Sequence, residues 1–290
     1  MSPPVFRFAP SPNGRLHLGH AYSALLNADF ADRMQGRLLL RIEDIDTTRC
    51  RPALMAAMRD DLAWLGLAFP EPVRRQSAHF ADYAAALDAL RERGLVYPCF
   101  CTRKAIAAAS RARDPDGAPL YPGTCRDLSP AEAAVRIAAG EPHAWRLAMD
   151  RARAACPGPL TVESFDAAGA FTTRLAEPER WGDAVLARKD VPTSYHLAVV
   201  HDDAAQGVTH VVRGRDLDAA TDLHRLLQAL LGLPAPRYHH HALLLDEGGD
   251  KLAKSRGSEP LAALRARGVT AADLRARLGF HAERPANRSR

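Results

Sequence analysis

Val5-Phe6-Arg7-Phe8-Ala9-Pro10-Ser11-Pro12-Asn13-Gly14-Arg15-Leu16-His17-Leu18-Gly19-His20 is the stretch on which the fold turns. Val5 to Ala9 is apolar and β-prone, the Pro/Asn/Gly loop after it breaks the strand, and Leu18 to Met34 carries helical periodicity. Gly36 is expected to close that helix, and Arg37 to Ile42 supplies a second strand. The acidic run Glu43-Asp44-Ile45-Asp46 falls at the carboxyl end of that strand, the edge at which parallel sheets bind ligands. Outward from this unit, helices are predicted from Pro52 to Leu65 and from His79 to Arg93, with Gly94 as the stop.

Between about Leu95 and Trp181 the texture changes. Cysteines appear, Pro and Gly punctuate Asp114-Pro115-Asp116-Gly117-Ala118-Pro119 and Cys156-Pro157-Gly158-Pro159, and sheet-like runs are short, as expected of an insertion. Inside it, Ser129-Pro130-Ala131-Glu132 is a capping box with Pro at the first helical position, and Gly140 is the stop. The strand–helix rhythm resumes at Val191. Tyr195 to His201 and Val208 to Arg213 read as strands, Asp216 to Leu231 and Thr270 to Leu278 as helices, and Pro285 to Arg290 as a frayed tail. The fold class is α/β, interrupted once.

Among the 290 residues, 47% are hydrophobic and 25% charged, which supplies a real core and excludes wholesale disorder. The formal charge of +5 is compatible with a polyanionic partner but too mild to identify one. Cys50, Cys99, Cys101, Cys125 and Cys156 are an odd number without a secretory signal, so reduced thiols or a metal site are expected rather than a disulfide framework. No apolar run approaches the ~18–20 residues that cross a bilayer, and a cytoplasmic location without membrane contact is expected.

His17 and His20 stand three apart at a helix start, beside backbone N–H groups that favour an anion, with Gly19 between them admitting a flat ligand. The same pattern also fits two ordinary helix-start histidines or a zinc pair. Far downstream lies Asp250-Lys251-Leu252-Ala253-Lys254-Ser255. Only four of the 39 basic residues are lysines, namely Lys104, Lys189, Lys251 and Lys254, so half of them fall within this loop. A compact ammonium suits a triphosphate, since it makes none of the planar demands of a guanidinium.

Together these residues resemble the class I aminoacyl-tRNA synthetases, whose signatures are His-x-Gly-His and a Lys-Met-Ser-Lys-Ser loop. The first matches fully at His17 to His20; the second matches at Lys251, Lys254 and Ser255, with Leu252 and Ala253 replacing Met and Ser. Arg7-Phe8-Ala9-Pro10-Ser11-Pro12, Arg41-Ile42-Glu43-Asp44-Ile45-Asp46-Thr47, Tyr195-His196-Leu197-Ala198 and Gly207-Val208-Thr209-His210-Val211-Val212-Arg213-Gly214 are similar to glutamyl-tRNA synthetase segments. The resemblance implies a glutamate site at Arg7, Ala9, Ser11, Glu43, Tyr195 and Arg213. It implies ATP held at His17, Gly19, His20 and Lys254, and catalysis by His17, His20, Lys251 and Lys254 with Mg²⁺ on the phosphates. A dicarboxylic amino acid suits this set: Arg7 and Arg213 can each clamp a carboxylate bidentately, Glu43 can take the ammonium, and Ser11 and Tyr195 can fill remaining lone pairs.

The chain stops about 35 residues after Ser255, and Val199 stands where glutamyl-tRNA synthetases commonly carry Asn. Both features resemble the truncated branch of that family, the glutamyl-Q tRNA(Asp) synthetases. That resemblance implies a Rossmann-like catalytic domain in two halves, 1–95 and 186–245, around an inserted zinc-bearing α+β subdomain, 96–185. A signature loop and short helical C-terminus, 246–290, follow, without an anticodon-binding domain. It further implies that a monomer activates L-glutamate with ATP, without tRNA, and loads it onto the queuosine base of tRNA(Asp). Cys99, Cys101, Tyr121 and Cys125 resemble the zinc ligands of this branch; on donor chemistry alone His143 is an alternative to Tyr121, and three free thiols in a small core an alternative to a site. Three other readings share these residues. They are a truncated conventional tRNA(Glu) synthetase, a non-catalytic tRNA-binding paralogue motivated by Ala253, and transfer of glutamate to a small molecule or carrier protein.

Overall fold

The computed structural model describes residues 2–244 and 259–280. Lys251, Leu252, Ala253, Lys254 and Ser255 therefore lie outside the described residues. Two compact units make up the chain, one of residues 1–75 and 241–290, the other of residues 76–240.

In the first unit β1 (Val5–Phe8), α1 (Leu18–Arg33) and β2 (Arg37–Ile42) form the predicted strand–helix–strand. β1 lies parallel to β2, Val5 opposite Arg37 and Phe8 opposite Leu40. After α2 (Pro52–Trp64) the chain adds β3 (Arg74–Arg75), parallel to β2. Parallel direction places Ala9 and Glu43 at one edge of this sheet. Phe8, Leu40 and Ile42 from the strands pack with Ala21 and Ala24 of α1 and Met58 and Leu62 of α2. Two short helices near the end of the chain, Leu261–Ala266 and Ala271–Arg277, add Leu261, Leu264 and Leu274 to the same core.

The end of α1 corrects one expectation. Gln35, not Gly36, takes the left-handed backbone, with φ 51°. Gly36 is there for space: a Cβ would sit 2.6 Å from the Pro4 carbonyl oxygen, the atom that accepts the Arg37 N–H at 2.8 Å. Gly36→Ala is expected to cost about 1–3 kcal/mol by overpacking against rigid backbone, read as a lower urea midpoint at unchanged slope. Gln35→Gly relieves the left-handed strain and is expected not to destabilise; a loss there and none at Gly36 would reverse the assignment.

The second unit opens with α3 (Phe80–Glu92), β4 (Val96–Cys99), α4 (Arg103–Ala109), α5 (Pro130–Ala138), β5 (Ala144–Leu147) and α6 (Met149–Ala155). It continues through β6 (Thr161–Phe165), β7 (Phe171–Leu175), β8 (Val185–Ala187), α7 (Tyr195–Ala205), β9 (His210–Gly214), α8 (Ala220–Leu231) and β10 (Arg237–His241). β4, β5 and β8 form a small antiparallel sheet. β9, β10, β6 and β7 lie side by side in that order, β10 parallel and β7 antiparallel to β6. Leucines of α3, α7 and α8 (Leu87, Leu90, Leu197, Leu223, Leu226, Leu227) close on Trp181 and Leu186.

The Tyr195–His201 strand reading is wrong: these residues open α7. Ser194 caps the helix by accepting the Leu197 N–H, and Leu197, Ala198, Val199 and Val200 are all buried. Such a helix, apolar at successive positions, has the same pattern as a buried strand. Val199 accordingly sits in a helix, not in a strand. The helix expected from Asp216 begins at Ala220, after a 3-10 turn at Arg215–Leu217. The capping box at Ser129 and Glu132 forms as read, with Pro130 at the first position. Among the described residues no helix is long and apolar enough to cross a membrane.

Candidate active site

In the first unit α1 starts on an unusual cap. His17 Nδ1 accepts the Gly19 N–H at 3.1 Å, and the His17 N–H donates to His20 Nδ1 at 3.2 Å. This is a capping box built from two imidazoles in place of Ser and Glu. Since each ring spends Nδ1 as an acceptor, each neutral ring carries its proton on Nε2. The rings are 3.9 Å apart between centroids, at the helix start where the dipole favours negative charge. Gly19 makes room for the His17 ring, because a Cβ there would meet His17 Cε1 at 3.1 Å. Pro260 bridges His17, and the Leu261 N–H donates to the Leu16 carbonyl at 2.8 Å. The residues that follow the lysine-bearing segment are thereby fastened to the start of α1.

At the edge of the same sheet, Arg7 is buried on β1, and Ala9 and Ser11 are half-buried in the loop beyond it. The Glu43 N–H donates to the Pro10 carbonyl at 3.1 Å, which ties that loop to the end of β2. Glu43 is buried and its Oε1 accepts from Arg41 Nη2 at 3.1 Å, while Asp44 accepts from Arg75.

In the second unit Arg213, at the end of β9, is only 5% exposed. Its Nη1 donates to Tyr195 Oη at 3.3 Å and to His224 Nδ1 at 3.4 Å, its Nη2 to Thr221 Oγ1 at 2.7 Å and its Nε to His240 Nε2 at 3.3 Å. Every one of these acceptors is neutral. The acids on the neighbouring helix face other partners: Asp222 pairs with Arg174 and Arg180, Asp218 with Arg174 and His240. Among the described residues Arg213 therefore has no carboxylate, although a buried cation without an anion is costly. Four of its five N–H groups are taken, which leaves one Nη2–H facing no acceptor among the described residues. Two-pronged clamping of a carboxylate by Arg213 requires the long Tyr195 or His224 contact to be exchanged.

The inserted segment gathers its thiols. The ligand atoms of Cys99, Cys101 and Cys125 lie within 4.8 Å of one another. Cys101 Sγ is 3.5 Å from Cys125 Sγ and 3.7 Å from Tyr121 Oη, and Tyr121 Oη accepts the Cys125 N–H at 2.8 Å. Burial opposes ionisation of Cys125, but bonds from Tyr121 and backbone N–H groups outweigh it and hold this thiol below its usual range; burial pushes Cys101 up. Arg126 fixes the Cys125 loop through Nε to the fully buried Asp183 at 2.7 Å. His143 is turned away, with Nδ1 on the Glu141 carbonyl and its ring against Phe100 and Trp145. Three sulfurs and a phenol oxygen are a donor set that fits tetrahedral Zn²⁺. The purified protein is expected to carry one zinc. Cys125→Ser should lose it and melt earlier, whereas His143→Ala keeps it; elemental analysis showing zinc lost in the His143 variant alone would sink the Tyr121 assignment. Cys50, buried, and Cys156, half-buried against the main core, lie apart from this cluster.

Sequence reasoning missed Thr221, His224 and His240, the residues that hold Arg213. A signal existed: Thr221, His224 and Gln228 form a buried polar stripe, spaced three and four, on a helix whose other buried positions are mostly leucine.

Residues 5–275 match the family described as "tRNA synthetases class I (E and Q), catalytic domain". The chain is 47% identical to a protein of Rhodobacter capsulatus named glutamyl-Q tRNA(Asp) synthetase, over 95% of this chain and 100% of the relative. It is 45% identical to a protein of the same name from Nocardia farcinica, over 88% of this chain and 77% of the relative. Among solved structures, a glutamate tRNA ligase of Elizabethkingia meningosepticum in complex with its amino acid is similar with a TM-score of 0.70 at 28% identity, over 88% of this chain and 53% of that one. This chain thus spans about half the length of that ligase. Sequence, fold and site agree that the chain belongs to the class I tRNA synthetases (E and Q), a family of ligases, in the branch whose curated relatives are named glutamyl-Q tRNA(Asp) synthetase.

Proposed function

We propose that the chain activates L-glutamate with ATP, without tRNA, to glutamyl-adenylate and transfers the glutamyl group to the queuosine base of tRNA(Asp). The observation that carries the amino-acid part is Arg213, a guanidinium 5% exposed and ringed by neutral acceptors. A carboxylate ligand supplies the missing anion. Arg7 takes the other carboxylate in this reading, Glu43 the ammonium, and Ala9, Ser11 and Tyr195 line the site. Glutamine is disfavoured because its amide would set an N–H donor against the guanidinium.

In the first step one carboxylate oxygen bonds to the α-phosphorus of ATP as the bond to the pyrophosphate oxygen breaks. Little covalent work falls to the protein, and positioning with charge stabilisation carries such chemistry. The Nε2–H groups of His17 and His20 are suited to donate to phosphate oxygens, with Gly19 between them. Lys254, with Lys251 assisting, neutralises the leaving pyrophosphate. Its reach is limited by covalent geometry: Lys254 lies six residue steps before Pro260, which is fastened at His17, a span of at most about 22 Å. Mg²⁺ bound on the phosphates supplies further charge neutralisation. Zn²⁺ at Cys99, Cys101, Tyr121 and Cys125 is structural and stiffens the 96–185 subdomain.

In the second step a hydroxyl of the RNA attacks the acyl carbon and AMP leaves. The names of the two relatives support queuosine-bearing tRNA(Asp) as the acceptor. Transfer of labelled glutamate to tRNA(Asp) lacking its 3′-terminal adenosine tests the acceptor. Transfer to the trimmed, queuosine-containing RNA is expected; a strict requirement for the terminal adenosine would favour a conventional tRNA(Glu) synthetase instead.

A further inference from the structure

We infer that His224, backed by His196, is a positioning and specificity residue for the amino-acid substrate, keeping the Arg213 guanidinium oriented and unneutralised until a ligand carboxylate arrives. The inference rests on the reading that Arg213 binds glutamate and goes beyond it to a residue of α8 that touches no substrate.

The hydrogen bonds fix the direction of this device. His224 is 1% exposed, and its Nδ1 faces Arg213 Nη1 at 3.4 Å, so the proton of its neutral ring is on Nε2. That proton has an acceptor in His196 Nδ1 at 3.2 Å. His196 in turn stands edge-on to Trp181, with centroids 5.0 Å apart. Arg213, His224 and His196 thus form a chain that runs from the ligand cation into the apolar core. Burial, with the Arg213 charge adding to it, holds His196 down at about 4, so His196 is neutral near pH 7 and can accept at Nδ1.

A buried arginine is ordinarily fixed by a carboxylate, which orients it and also cancels its charge. Here an imidazole gives orientation without cancellation. The arrangement is built into α8: Asp222, two residues before His224, is fully buried yet directed at Arg174 and Arg180. The helix has a carboxylate to offer and spends it on other cations.

Three replacements separate positioning from packing, read in glutamate-dependent ATP–pyrophosphate exchange. His224→Asn keeps an acceptor where Nδ1 lies and is expected to hold the KM for glutamate within about threefold. His224→Leu removes the acceptor and should raise that KM about tenfold, the size of one hydrogen bond to a charged group, with the KM for ATP unchanged. His224→Asp supplies the cancelling carboxylate and should be the worst of the three for glutamate. Binding of glutamate, followed by its shift of the melting temperature, should rank the variants in the same order. Equal glutamate KM in the Asp and Leu variants, or losses confined to kcat and melting temperature in all three, would overturn the inference. Arg213→Lys is the control for the underlying reading: unchanged glutamate KM there removes glutamate from Arg213, whereas a raised KM there with normal His224 variants removes only the role of His224.

Discussion

Arg213→Leu is expected to lower kcat/KM for glutamate by about 10³-fold or more while leaving the KM for ATP within a few-fold of the parent. Two charge-assisted hydrogen bonds, each about 1.5–3 kcal/mol, are the contacts at stake. The replacement also leaves Tyr195, Thr221, His224 and His240 facing an apolar side chain instead of their shared donor. A fold defect is distinguishable from a binding defect, because ATP binding would fall with the former. Rejection of glutamine should weaken at the same time, since discrimination depends on the donor that the amide cannot meet. Stopped or steady-state exchange with both amino acids checks it. A variant that activates glutamate normally would place the carboxylate elsewhere.

Lys254→Ala is the second severe variant, expected to lose on the order of 10²–10³ in kcat with little change in the KM for glutamate. In the proposed reading Ala253 offers no hydroxyl to the phosphates, so more of the charge neutralisation would fall to the lysines. Lys254→Arg should not restore the rate, because a planar fork does not replace a compact ammonium. Single-turnover formation of adenylate reads the step directly, and a near-parental rate would remove this loop from the mechanism.

Much of this protein is legible in its sequence for identifiable reasons. The first strand–helix–strand is legible because Pro, Asn and Gly break the chain between two patterns of different period, and each element then forms at the expected place. α7 misled because a helix buried at Leu197 through Val200 has no polar face there to display its period. Gly36 was noticed correctly but for the wrong reason, since the close approach of Pro4 is a tertiary fact. At the site, the imidazole pair, the thiols and Arg213 are readable as residue types with known chemistry. Their supports are harder to read: the His17–His20 cap is local but uses imidazoles where Ser and Glu are usual, and the His224–His196 chain exists only once α7 and α8 pack. The placement of Tyr121 Oη 3.7 Å from Cys101 Sγ, with His143 instead against Phe100 and Trp145, likewise appears only in the fold.

In the proposed function this chain activates glutamate by itself. Glutamate-dependent ATP–pyrophosphate exchange in the complete absence of RNA, with glutamine and aspartate as controls, tests it most directly. Exchange with glutamate alone is the predicted result. Exchange that appears only when tRNA is added, or with none of the three amino acids under either condition, would contradict it.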